Sequence, residues 1–170
     1  MTPPRDRDPA GRARNARPRD ALGRPLPRGA EGEPQLPDDL SLPPAEALDM
    51  AQQLIDTGRP FGAHEVLEAS WKAAPAAERD LWQGLAQVAV GLTHAQRGNT
   101  SGAAALLRRG AARVNGYRPA AGAASPGPFG IDIRGVTAAA ESLAARAERD
   151  GAPALAAADL KLRLRGPAPG

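Results

Sequence analysis

The chain has 170 residues, 42% of them hydrophobic, a formal net charge of +3 and no cysteine. That length makes one domain the default, and the missing cysteine excludes disulfides, thiolate metal sites and cysteine nucleophiles. No apolar run reaches the ~20 residues a bilayer span needs, and the first residues lack the apolar stretch of a signal peptide, so a cytoplasmic protein without a membrane partner is expected.

Residues 1–40 hold eight arginines, from Arg5 to Arg28, many prolines and no aromatic side chain. Such a segment buries too little area to offset its ordering entropy, and a disordered tail is expected. Its arginines suit contact with nucleic acid or an acidic surface, but a solubilising tail has the greater weight, because no aromatic side chain is there to stack on bases. Nucleic acid is therefore not expected as a partner except through this tail.

The first helix is expected over 44–57. Pro43 and Pro44 suit a helix start, Leu48, Ala51, Leu54 and Ile55 form the apolar stripe, and Gly58 ends it. A second helix is expected over 60–73, opened by Pro60, and a third over 76–97 after Pro75. In the third, Leu81, Leu85, Val88 and Leu92 mark the buried face, and Gly98-Asn99 stops it. A fourth runs over 101–114, with Asn99 or Thr100 as cap. Residues 115–131 are rich in glycine and proline and read as a loop. A fifth helix is expected over 133–149, capped by Asp132, and one further turn over 154–160.

These elements predict an all-α fold: a compact antiparallel helical bundle of about five helices over 41–150, between the disordered N-terminal tail (1–40) and a flexible C-terminal tail (151–170). The short links imply antiparallel neighbours. The five aromatics, Phe61, Trp71, Trp82, Tyr117 and Phe129, all lie mid-chain and place the core there. Trp71 and Trp82 read as core anchors, with Trp71 also a candidate pocket wall.

Chemistry-bearing residues are few. No phosphate-binding glycine loop and no serine elbow is present. His64, Glu68 and Trp71 share one face of the second helix at i, i+4 and i+7. His64-Glu65 opens like a zinc-protease motif, but Glu68 stands where the second imidazole must be. On the third helix Gln83, Gln87 and His94 fall within a narrow sector opposite the leucines. Should the two helices pair, His64, Glu65, Glu68, Gln83, Gln87 and His94 form a candidate polar pocket. Two imidazoles, carboxylates and amides suit ligand binding, proton transfer or metal-assisted chemistry, with His64 as base or ligand and Glu68 orienting it. The bland alternative makes His64–Glu68 a structural pair and His94 a favourable C-terminal residue of its helix. No cofactor and no metal ligand set is identified. A small molecule or a protein is the partner class left open, the latter through a non-catalytic helical interaction surface.

The string Gly58-Arg59-Pro60-Phe61-Gly62-Ala63-His64-Glu65-Val66-Leu67-Glu68, followed by Trp71, resembles the signature of the domain of unknown function family 309. So does Gln83-Gly84-Leu85-Ala86-Gln87-Val88-Ala89, followed by His94, Arg97-Gly98-Asn99 and Gly102-Ala103. The resemblance covers about residues 45–115. It implies a compact helical domain and makes His64, Glu65, Glu68, Trp71, Gln83, Gln87 and His94 signature positions. It brings no established activity.

Overall fold

The computed structural model describes residues 18–20, 22–27, 29–32, 36–37, 40–118 and 127–167. The expected disorder of residues 1–17, and with it most of the arginine tail, lies outside them, as does the loop stretch 119–126. Among the described residues five α-helices follow in chain order: α1 (Pro44–Asp56), α2 (Pro60–Ala73), α3 (Arg79–Gln96), α4 (Thr100–Asn115) and α5 (Ile133–Asp150). A 3-10 turn, Ala76–Glu78, leads into α3.

The helix ends follow from local chemistry. Pro44 and Pro60 occupy first turns, where an amide hydrogen has no partner to lose. Gly58 and Gly98 take φ of +77° and +74°, the left-handed region open to glycine. Behind Gly58, the Arg59 amide donates to Leu54 at 2.7 Å; behind Gly98, the Asn99 amide donates to His94 at 2.9 Å. Each closure satisfies carbonyls that would otherwise be orphaned. Asn99 then caps α4 by accepting from the Gly102 amide, and Asp132 caps α5 by accepting from Gly135.

Successive helices pack on one another. The α3–α4 pair is the tightest, and its antiparallel register is written in its glycines. Gly84 opposes Val114, Gly110 opposes Val88, and Gly91 opposes Leu107, with a Cβ at any of these glycines falling within 2.9 Å of the facing residue. The absence of three side chains thus lets two backbones approach closely. The core is mostly aliphatic: Leu48, Ile55, Leu67, Leu81, Leu85, Leu92 and Leu107 are buried with Trp82, amid many alanines. The expected gathering of aromatics in the core holds fully only for Trp82, since Phe129 is 45% exposed and Trp71 and Tyr117 pack at the core's edge.

Residues 151–167, expected as a tail with one turn over 154–160, lie against the helices. Two 3-10 turns, Ala152–Ala154 and Ala157–Leu160, the second ending on buried Leu160, lead into a segment whose Leu162 and Leu164 are also buried. The physical reason is period-2 alternation: leucines at every second position point inward and Lys161, Arg163 and Arg165 outward. Gln52 of α1 donates to the Leu162 carbonyl at 3.0 Å and accepts from the Leu164 amide at 2.8 Å. On the other side the Asp132 amide donates to the Leu164 carbonyl at 2.9 Å. The segment therefore joins α1 to the start of α5. Replacing Gln52 by alanine removes both bonds to the segment, and a loss of about 1–3 kcal/mol is expected. Hydrogen exchange at the Leu164 amide checks it: exchange should accelerate there while the α3 amides stay protected.

Part of the N-terminal region also lies against the bundle. Arg19 stands over the Phe61 ring at 5.2 Å, and Arg97 donates to the Leu22 carbonyl at 2.9 Å. Asp20 ties the turn by accepting from the Leu22 and Arg24 amides.

Candidate functional site

The α2 helix carries His64, Glu65 and Glu68 at i, i+1 and i+4, so that Glu68 lies one turn on from both of the others. His64 Nε2 lies 3.3 Å from Glu68 Oε2, and Lys72 Nζ lies 3.2 Å from Glu68 Oε1. Glu68 is thus held from both sides. The imidazole packs at 5.5 Å from the Phe61 ring, and its Nδ1 is buried with no hydrogen-bond partner of acceptable geometry. Burial pushes the His64 pKa below its usual value; Glu68 and the Phe61 backbone pull upward, and Lys72 and Arg19 add to the lowering. Beside this pair lies a cavity of about 320 Å³, lined by Glu65, Glu68, Ala69 and Lys72 of α2 and by Leu36, Pro37 and Leu40 of the preceding segment.

The α3 stripe is spent differently. Gln83 accepts from Arg113 of α4 at 2.8 Å, and the same guanidinium nitrogen donates to Asp80 at 3.0 Å. His94, at the other end, sits by the start of α4. Asn99 Oδ1 already accepts from the Gly102 amide, so its Nδ2 faces His94 Nδ1 at 3.1 Å and must donate to it. That fixes His94 as a neutral ring protonated at Nε2. Burial first, then the charge of Arg97, lowers its pKa. Gln87 lies between them on the stripe, its Oε1 buried without a hydrogen-bond partner.

Of the six candidate pocket residues, then, Glu65 and Glu68 line the α2 cavity, and His64 is joined to it through Glu68. Gln83, Gln87 and His94 are not among its lining residues, nor is Trp71, which is half-buried against the core. Among the described residues no group of three or more His, Asp or Glu side chains is placed to hold a metal ion. Sequence reasoning missed Leu36, Pro37, Leu40 and Lys72. Lys72 was findable, since it stands at i+4 from Glu68.

Both histidines resist protonation, and this sets a pH dependence. The unfolded chain takes up protons near pH 6.5 that the folded domain refuses, so stability is full above that value and falls as the pH is lowered through it. Tm should therefore decline from about pH 7 to pH 5, where other side chains titrate little. Replacing both histidines by glutamine should flatten that slope in a thermal melt series.

No helix among the described residues is long and apolar enough to cross a membrane. No curated protein and no solved structure matches the chain. Residues 48–106, which span α1, α2, α3 and the first part of α4, match the family model described as a domain of unknown function, DUF309.

Proposed function

We propose that this helical domain binds a small cationic ligand in the cavity on the outer face of α2. The supporting observation is the lining: the Glu68 carboxylate, with Glu65 and Lys72 beside it, edges a space of about 320 Å³ whose other wall, Leu36, Pro37 and Leu40, is apolar. That volume falls within the usual range for small-molecule sites. An amine or guanidinium on an apolar stem matches both parts of the lining. In this reading Glu68 is the recognition carboxylate and His64 positions it. Proton transfer by His64 is less well served, because one ring nitrogen faces Glu68 and the other is buried. The setting is taken as cytoplasmic, which the cysteine-free composition suits.

The test is a titration of the isotopically labelled full chain with agmatine, a guanidinium-bearing amine, followed by amide NMR shifts. Saturable shifts confined to residues 36–40 and 64–72, weakened about tenfold in Glu68→Gln, are expected. Shifts that matched sodium chloride reproduces, or that survive in the Glu65→Gln/Glu68→Gln variant, would remove the reading.

A further inference from the structure

A second cavity, of about 330 Å³, lies between α5 and the C-terminal segment. Its polar lining comprises Arg146 on α5, Lys161 and Arg163 on the segment, Ser142, and the carboxylates of Asp132 and Asp159. Asp159 is paired with a cation, and Asp132 is turned to the start of α5. Asp132 caps α5, and Asp159 accepts from Arg146 at 3.0 Å and from the Ala156 amide at 2.8 Å. Among the described residues, no ion pair engages Lys161 or Arg163, and both are exposed.

The positions of these two cations are not accidents of a loose tail. Leu160, Leu162 and Leu164 are buried on the opposite side of the same segment, and the Gln52 bonds fix its register. Alternation then sends positions 161 and 163 outward together. Arg165, next in that series, shows what such a cation does when a partner is near: it pairs with Asp49 at 2.7 Å. Lys161 and Arg163 instead edge a cavity that also has apolar lining, from Ala139 and Leu143 of α5.

We propose that this cleft binds a small molecule carrying a phosphate monoester. Two uncommitted cations match a dianion better than a monocarboxylate. A guanidinium presents paired donors to phosphate oxygens, an ammonium adds a point charge, and the apolar side chains of the lining receive the organic part of the ligand. Arg146, oriented by Asp159, closes the cationic side. This cleft does not share a lining residue with the α2 cavity, so either site is able to fail without the other.

The experiment uses the labelled full chain titrated with glycerol 3-phosphate, with inorganic phosphate and with sodium chloride at matched ionic strength. Saturable amide shifts at Gly135, Ser142, Arg146 and residues 159–163 are expected with both phosphates, stronger with the ester. Affinity should fall about tenfold or more in Lys161→Gln/Arg163→Gln, whose exposed substitutions leave the dispersed spectrum of the fold intact. Three outcomes overturn the proposal: shifts reproduced by sodium chloride, shifts unchanged in the double variant, or shifts centred on residues 5–28. A short single-stranded oligonucleotide that binds the same residues at least tenfold more tightly than the ester also overturns it, in favour of a nucleic-acid surface.

Discussion

Trp82→Ala is expected to destabilise the domain by about 3–5 kcal/mol, the range for emptying a buried aromatic site. Trp82 is 1% exposed, and its indole nitrogen donates to Glu78 at 3.3 Å, one turn back across the start of α3. Truncation leaves a cavity among close-packed helices and strips Glu78 of its donor. Since a domain's whole stability is about 5–15 kcal/mol, the variant should unfold at much lower urea concentration or fail to fold at 37 °C. Phe129 supplies the control. Its ring lies 6.3 Å from that of Trp82 but is largely exposed, so Phe129→Ala should cost far less. Equal effects of the two substitutions would show that the core is not organised around α3.

Gly110→Ala should destabilise by about 1–3 kcal/mol, although helix propensity alone predicts the opposite. In a free helix the change gains about 1 kcal/mol. Here the new methyl would stand 2.8 Å from the Gly84 carbonyl oxygen and 2.8 Å from the Val88 nitrogen. Those atoms are backbone and do not step aside, so sterics outweigh propensity and α4 must lift off α3. Gly62→Ala is the matched control: the nearest atoms to its methyl are those of the flexible Leu54 side chain, at 3.4 Å, and it should be neutral or mildly stabilising. Chemical denaturation of both variants reads the contrast directly. A stabilised Gly110→Ala would mean that the helices do not approach as closely as described.

The helices were legible because their punctuation is chemical and local. Pro44, Pro60, Gly58, Gly98, Asn99 and Asp132 each act within one turn of their own position, and each does in the structure what its residue type suggests. The C-terminal segment was harder to read. Its leucine alternation spans only five residues, amid glycine, proline and alanine, and its partners are Gln52 and Asp132, far away in sequence. The candidate site was legible helix by helix and not between helices. Angular counting puts Gln83, Gln87 and His94 in one sector, but does not say which neighbour that sector meets. The adjoining Gly84 and Gly91 draw α4 in, and Arg113 and Asn99 then take Gln83 and His94.

The bonds from Gln52 to residues 162 and 164 join positions 110 and 112 apart in the chain, and the Arg165–Asp49 pair spans 116. Helical bundles rich in local contacts fold quickly, whereas closing so long a loop is slow. During synthesis, at about 5–20 residues per second, α1 waits on the order of ten seconds before its covering segment has even been made. For that interval the groove that will hold Leu162 and Leu164 stands open. A nascent chain stalled before residue 160 would therefore display native helices and an unsealed apolar seam, the kind of surface that chaperones and proteases compete to bind.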